Sequence, residues 1–136
     1  MTDNHLILIS GVQGAGKTTL AKLLVETDGA MFAADDYFYK PDGTYEFDAT
    51  KLGHAHKLGE ANNASAMSRR VSRVVVHNTF SRARELKPYI ALAEHYKYRL
   101  ISVVAENHHG SKDVHGVPQE VREEFATRIK QRLKLV

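Results

Sequence analysis

The strongest constraint on this chain is a glycine-rich segment near its N-terminus, between an apolar run and an amphipathic stretch. Residues 11–18 read GVQGAGKT and match the pattern G-x-x-x-x-G-K-[ST]. The apolar run His5–Ser10 predicts a buried strand before the segment, and Thr18–Glu26 predicts a helix after it. Backbone amides in such a loop, together with the positive end of the helix dipole, form a binding nest for anions. The motif therefore predicts that the chain binds a nucleoside triphosphate.

The side chains of the motif have distinct expected roles. Lys17 is expected to bring a positive charge to the β- and γ-phosphates, and the Thr18 hydroxyl to coordinate Mg²⁺. The residues predicted to hold the nucleotide are Gly11, Gln13, Gly14, Ala15, Gly16, Lys17, Thr18 and Thr19. Because motors, switches and kinases all use such a loop, the motif alone leaves the reaction open.

The length and composition of the chain narrow the class of protein. With 136 residues, 43% of them hydrophobic and 26% charged, it is expected to form one globular domain, residues 1–136. The absence of cysteine excludes disulfide scaffolds, thiolate zinc sites and cysteine nucleophiles. It fits a reducing compartment, and we expect a cytoplasmic protein. No run approaches the ~18 apolar residues of a membrane span and the N-terminus lacks a signal pattern, so no membrane partner is expected.

Two kinds of nucleoside triphosphatase fit the sequence poorly. A GTPase would carry a base-reading N/T-K-x-D motif, which this sequence lacks. The chain is short for a motor, which needs room for a recognition or oligomerisation module. The remaining class is a kinase acting on a small molecule or a nucleic acid, and the net charge of +3 is compatible with an anionic substrate.

Apolar runs alternate with amphipathic stretches along the whole chain. Further strands are predicted at Ala30–Ala34, Arg73–Asn78 and Tyr98–Ala105. Three further helices are predicted: one from Ala49 to about Arg70, one that has Pro88 in its first turn and runs to about Lys97, and one that begins at Pro118. This alternation predicts an α/β, three-layer fold with a parallel sheet and helices on both faces. For a P-loop domain we expect the strands in the order 2-3-1-4. Leu133–Val136 is either a fifth strand or the end of a helix.

Leucine spacing predicts which side of two helices faces the sheet. The residues expected on the inner side of the first helix are Leu20, Leu23 and Leu24. In the second helix, close packing on the sheet is expected of the small residues Ala55, Ala61 and Ala64 together with Leu52, Leu58 and Met67.

Polar side chains that can transfer protons or bind ligands follow the second and fourth predicted strands. Asp35 and Asp36 come directly after the second strand, at the edge where ligands gather in a parallel sheet. Either carboxylate there could accept a proton from an attacking hydroxyl, or could belong to a solvated turn or a helix cap. Glu106–Val117 is a candidate lid with one cation, Lys112. Its histidines, His108, His109 and His115, are additional donors, a metal site or simply part of a polar surface loop.

Aromatic and basic residues near the expected site suggest an acceptor surface. The aromatic residues Tyr37, Phe38, Tyr39, Tyr45 and Phe47 surround Lys40 in the loop after Asp36. They either stack bases beside a carboxylate or pack beneath the loop. Arg82 and Arg84 follow the third strand at the ligand-bearing edge, whereas Arg69, Arg70 and Arg73 are expected at the far end of the sheet.

A series of short motifs resembles the polynucleotide-kinase branch of P-loop kinases, most closely the Nedd4-binding-protein-2-like (AAA_33-type) module common in bacteriophages. Beyond the phosphate loop, the motifs are Ala34-Asp35-Asp36-Tyr37, residues 42–47 (DGTYEF), Ala55-His56, Asn78-Thr79, Lys87-Pro88-Tyr89 and residues 114–118 (VHGVP). They cover most of the chain in the right order. A bacteriophage origin is therefore expected.

The resemblance implies a Mg²⁺-dependent kinase that transfers the γ-phosphate of ATP to the 5′-OH of DNA or RNA. A hydroxymethylated base in phage DNA or a nucleoside is an alternative acceptor, and a weakly active ATP-binding regulatory module is an alternative function. The resemblance implies that Asp35 is the general base and Lys112 the cation of the lid. Asp36 is predicted to support the metal together with Thr18. The predicted acceptor-binding residues are Tyr37, Asn78, Thr79 and Arg82.

Two positions depart from the family pattern. His77 stands where the family usually has an aspartate that supports the phosphate-loop hydroxyl and the metal. Lys112 replaces the usual lid arginine, and lysine lacks the bidentate fork of a guanidinium. Both departures favour reduced activity.

Overall fold

The computed structural model describes residues 3–106 and 119–134. In this part of the chain the sheet has four parallel strands, and they are arranged in the order β2-β3-β1-β4. The strands are β1 (His5–Ser10), β2 (Ala30–Phe32), β3 (Arg73–His77) and β4 (Arg99–Val104). The predicted α/β class and strand order are confirmed.

Four helices connect and follow the strands. They are α1 (Lys17–Val25), α2 (Leu52–Ser68), α3 (Ala83–Tyr96) and α4 (Gln119–Lys134), with short 3-10 helices at Ala34–Phe38 and Ala49–Lys51. The C-terminal segment left open between strand and helix is helical as far as Lys134. Among the helices of the described ranges, none has both the length and the apolarity needed to cross a bilayer.

The core lies on both faces of the sheet because strand side chains alternate in direction. Leu6 and Leu8 of β1 face a cluster that includes Met67 of α2 and Tyr89 of α3. The intervening residues of β1, Ile7 and Ile9, face a smaller cluster with Ala21 of α1. The sheet is thus covered on both sides, as predicted.

Two expectations about the helices are wrong. Helix α3 begins at Ala83, so Pro88 lies in its interior and not in its first turn. An interior proline removes one backbone hydrogen bond and costs about 3 kcal/mol. Because the helix begins at Ala83, it carries both Leu86 and Tyr89 into the core. This packing outweighs the preference of proline for the first turn of a helix.

The second error concerns the leucines. Leu23 is 75% exposed and Leu58 is 46% exposed, and Leu52 is exposed as well, although Leu20, Leu24 and Met67 pack inward as expected. The buried positions of α1 and α2 are mostly small: Ala21, Ala55, Gly59, Asn63, Ala66 and Met67. Small residues let a helix approach the sheet closely, so the helices turn those residues inward and leave larger ones outside.

Backbone contacts join the carboxyl ends of the strands, where the polar loops meet. The amide of Gly11, directly after β1, donates to the carbonyl of Thr79 beyond β3 at 3.2 Å. On the other side of β1, Ala105 donates to Ser10 at 2.7 Å. A Cβ at residue 11 would lie 2.7 Å from the Ala105 carbonyl oxygen, so only glycine fits there. The phosphate loop therefore starts from a fixed backbone position.

Candidate active site

The phosphate-binding loop adopts the conformation that its glycines permit. Gly14 and Gly16 have φ angles of 83° and 94°, in the left-handed region that other residues resist. Gly16 directly precedes α1, which begins at Lys17. The first amides of a helix have no acceptor within the helix, so they are available to an anion held by the loop. The structure thus brings the predicted nucleotide-binding residues into one loop and one helix start.

Lys17 lies against the loop that it is expected to serve. Its ammonium group donates to the carbonyl oxygens of Gly11 at 2.8 Å and Val12 at 2.9 Å. Phosphate oxygens are stronger acceptors for an ammonium group than carbonyl oxygens. The position of Lys17 and the left-handed glycines therefore fit a triphosphate.

The residues present also fit a magnesium ion bound with that nucleotide. In the described ranges, no group of three or more His, Asp or Glu side chains is arranged to hold a metal. Magnesium is usually held by one or two protein oxygens together with substrate phosphates and water. Thr18, exposed in the first turn of α1, would supply one such oxygen.

The 3-10 helix after β2 gives Asp35 and Asp36 different surroundings. Asp35 is half-buried and accepts a hydrogen bond from the Tyr45 hydroxyl at 3.2 Å. Asp36 accepts the amide of Ala33 at 3.0 Å through Oδ2 and so caps its own helix. Partial burial raises the pKa of Asp36, the Ala33 amide opposes the rise and the charge of Asp35 adds to it. A metal-supporting role for Asp36 stays a prediction.

His77 ends β3 at the carboxyl edge of the sheet, and its surroundings determine its charge. The imidazole is buried, which lowers its pKa to about 4. The positive charge of Lys17 lowers this pKa further, Asp35 opposes the shift and Lys22 adds to it. His77 is therefore neutral at pH 7, and it brings no negative charge to the place where the family usually has an aspartate.

Asn78 joins the second and third strands at their ends. Its Oδ1 accepts the amide of Ala34 at 2.7 Å, and both groups are buried. Ala34 is the first residue of the 3-10 helix that carries Asp35. Asn78 thus fixes the position of the candidate base, a contact that sequence reasoning did not predict.

The other predicted acceptor residues surround this edge. Thr79 is half-buried beside the phosphate loop, and Arg82 is exposed at the N-terminal boundary of α3. Tyr37 is 39% exposed, with its ring edge-on to Phe38 at 5.3 Å between centroids. The structure leaves these side chains accessible at the surface of this edge.

The aromatic loop divides into buried and exposed rings. Phe38 is buried and contacts Tyr45 and Phe47, whereas Tyr39 and Phe47 are about half exposed. Residues Tyr39 and Tyr45 pair as an antiparallel bridge. Phe38 and Tyr45 therefore support the hairpin of residues 38–47, and Tyr39 and Phe47 form its exposed surface, next to Tyr37 of the 3-10 helix.

The Tyr45–Asp35 contact was not predicted either, although the sequence contains a signal for it. The Pro41–Gly43 turn reverses the chain after Tyr39, so residues beyond the turn return toward the aspartates. Other predicted groups cannot be placed: Lys112, His108, His109 and His115 lie outside the described residues.

Comparison with known proteins places the chain in a family. Residues 6–134 match AAA_33, a family described as an AAA domain. The chain belongs to this family. It is also 38% identical over 98 residues to NEDD4-binding protein 2 of Homo sapiens, an alignment covering 71% of this chain.

Solved structures share the fold of this AAA_33 domain. A chain of the Pnkp1/Rnl/Hen1 RNA repair complex superposes with a TM-score of 0.75 at 16% identity, covering all of this chain and 47% of that one. The APS kinase CysC of Mycobacterium tuberculosis, in complex with AMPPNP and APS, superposes with a TM-score of 0.56 at 11% identity, covering 78% and 64%. These similarities confirm the P-loop kinase-like fold.

The AAA_33 domain corresponds to part of its larger relatives. It spans 6% of NEDD4-binding protein 2 and under half of the matched chain in the RNA repair complex. The expected bacteriophage origin stays a prediction.

Proposed function

We propose that this AAA_33 domain transfers the γ-phosphate of ATP to a hydroxyl group, with the 5′-OH of DNA or RNA as the favoured acceptor. One observation carries the proposal: the phosphate loop and the Asp35 helix are both hydrogen-bonded to the segment that follows β3. Gly11 donates to the Thr79 carbonyl at 3.2 Å, and Ala34 donates to Asn78 Oδ1 at 2.7 Å. The loop that carries Lys17 and the helix that carries Asp35 therefore adjoin at the carboxyl edge of the sheet.

Each residue has a role in this reaction. The loop amides and Lys17 hold the β- and γ-phosphates, and Thr18 binds Mg²⁺, which neutralises charge on the phosphates. Asp35 accepts the proton of the attacking hydroxyl. The acceptor oxygen forms a bond to the γ-phosphorus as the bond from that phosphorus to the β–γ bridging oxygen breaks, leaving ADP. Lys112 is the proposed lid cation.

Three features support a nucleic acid as the acceptor. The exposed Tyr37 lies in the 3-10 helix of Asp35, and the exposed Tyr39 and Phe47 lie on the hairpin that contacts Asp35. Aromatic faces stack bases without sequence preference. The chain has a net charge of +3, which suits a polyanion. Its fold also matches a chain of an RNA repair complex.

The test is transfer of label from γ-labelled ATP, with Mg²⁺, to a panel of acceptors. The panel contains 5′-OH oligonucleotides, nucleosides and DNA with hydroxymethylated bases. We expect Lys17→Ala and Asp35→Asn each to lower transfer about 10²- to 10⁴-fold, and Asp42→Asn, at an exposed carboxylate of the same hairpin, to leave it unchanged. Undiminished transfer by Asp35→Asn would overturn the assignment of the base.

A second candidate is an ATP-binding regulatory module with little turnover. The observation in its favour is His77, which is neutral where the family usually has an aspartate. This module would bind ATP in a Lys17-dependent manner and transfer no label to any acceptor of the panel.

A further inference from the structure

A cleft of about 220 Å³ lies between the end of β2 and helix α2. Residues that line it include Phe32, Asp36, Tyr37, Leu58, Gly59 and Asn62. The nucleotide roles proposed above use none of the α2 residues. The cleft is therefore a distinct candidate for a ligand.

The size of the cleft limits what it can hold. Pockets for whole small-molecule ligands usually measure roughly 300–1,000 Å³. At about 220 Å³, this cleft has room for one ring system rather than a complete nucleotide.

The walls combine apolar surface with two polar groups. Phe32 and Leu58 provide apolar contacts, and Asp36 and Asn62 provide the polar ones. Asp36 Oδ2 is engaged by the Ala33 amide. Within the part of the chain that the structure describes, neither the other oxygen of Asp36 nor the side-chain amide of Asn62 has a hydrogen-bond partner. A flat ring with polar edges matches this combination.

The cleft adjoins the candidate base. Asp35 and Asp36 are consecutive, with Cα atoms about 3.8 Å apart. Asp35 contacts Tyr45 of the hairpin, whereas Asp36 lines the cleft with residues of α2. The 3-10 helix thus presents Asp35 to the hairpin and the next residue, Asp36, to the cleft, so a ligand in the cleft lies beside the helix that carries the candidate base.

We propose that this cleft binds the nucleobase of the acceptor and favours bases with an exocyclic amino group, namely adenine, cytosine and guanine. A carboxylate accepts hydrogen bonds from such an amino group. In thymine and uracil the single ring N–H is flanked by two carbonyl oxygens, which the carboxylate repels. The inference rests on the proposed function, and it assigns Asp36 to base recognition in place of metal support.

The decisive variant is Asp36→Asn. An asparagine keeps an oxygen for the Ala33 amide but replaces the second carboxylate oxygen with a donor, so the polarity toward the base is reversed. The matched control is Asp42→Asn, because Asp42 also accepts a backbone amide, that of Thr44 at 2.9 Å. Asn62→Ala is a second variant at an exposed helix position that leaves the cap intact.

The measurement is equilibrium binding of 5′-OH dinucleotides that differ only in the first base, in the presence of a non-hydrolysable ATP analogue. We expect wild type to bind amino-bearing bases about tenfold more tightly than thymine. Asp36→Asn should abolish this preference, Asp42→Asn should retain it, and Asn62→Ala should weaken binding of the preferred bases.

The outcomes separate this inference from the proposed function. Equal affinity for all bases, no dinucleotide binding, or a preference that survives Asp36→Asn overturns the cleft assignment, whatever happens to label transfer. A raised Mg²⁺ requirement in Asp36→Asn with unchanged base preference also overturns it in favour of metal support. If the base preference depends on Asp36 but no acceptor is labelled, the cleft assignment stands and the kinase proposal fails.

Discussion

The hydroxyl of Tyr45 donates a hydrogen bond to Asp35 Oδ1 at 3.2 Å. Tyr45 reaches Asp35 from the returning arm of a hairpin, which is closed by the bridge between Tyr39 and Tyr45. The buried ring of Phe38 supports the same arm. The orientation of the candidate base is therefore set by a residue outside its own helix.

Removing this hydroxyl tests whether the orientation of Asp35 affects turnover. In Tyr45→Phe the ring and its packing stay, but the carboxylate loses a hydrogen bond that holds it in place. We expect kcat for label transfer to fall about tenfold with KM for ATP unchanged, since the loss acts on the transition state rather than on nucleotide binding.

Tyr39→Phe is the control for that variant, because Tyr39 lies opposite Tyr45 in the same hairpin with its ring 5.1 Å away. It should retain wild-type kcat. Equal kcat in Tyr45→Phe and wild type would show that the hydroxyl does not position the base.

The link between Asn78 and Ala34 predicts a loss of both stability and activity. Asn78→Ala leaves the buried Ala34 amide without its acceptor, and an unsatisfied buried donor costs about 1–3 kcal/mol. Urea denaturation should show this decrease in the free energy of unfolding, and label transfer should fall because the Asp35 helix loses its anchor. The exposed Asn62→Ala is the control for stability. A change below about 0.5 kcal/mol in Asn78→Ala would contradict the structural role.

The sheet and the phosphate loop could be predicted because their signals are local. The apolar run His5–Ser10 and the residues 11–18 that follow it define a strand, a loop and a helix start within a short stretch. The alternation of apolar runs with amphipathic stretches predicted the parallel sheet, which the structure confirms.

The contacts that the sequence did not reveal depend on distant residues. Asn78 and Ala34 are far apart in the chain, and their hydrogen bond exists only because β2 and β3 pair. The exposure of Leu23 and Leu58 depends on how each helix rotates over the sheet, and that rotation follows small residues such as Ala21. The small residues expected to pack on the sheet include Ala55, which is buried, and Ala61, which is exposed, so residue size alone does not fix this rotation.

The lowered pKa of His77 predicts acid sensitivity. Burial holds the folded-state pKa at about 4, against 6.5 for an ordinary histidine. Between these values the unfolded chain binds more protons than the folded one, so the contribution of His77 to stability is present above pH 6.5 and is lost as the pH falls toward 4. The full loss is about 3 kcal/mol.

His77→Asn removes the titrating group and isolates this contribution. Urea unfolding of wild type and variant at several pH values between 7.5 and 4 gives two stability curves, and their difference cancels the titration of other groups. We expect wild type to lose more stability than His77→Asn over roughly pH 6.5 to 4. Parallel curves would show that His77 does not titrate as its burial implies.

Restoring a carboxylate at residue 77 should strengthen the metal-dependent step. The charge of Lys17 already acts on this position, so an aspartate there gains an opposite charge that stabilises its ionised form. His77→Asp is expected to lower the Mg²⁺ concentration needed for half-maximal label transfer and to raise kcat. His54→Asp, at an exposed position of α2, changes the net charge equally and should leave both values unaltered. An unchanged Mg²⁺ requirement in His77→Asp would show that the histidine does not limit metal binding.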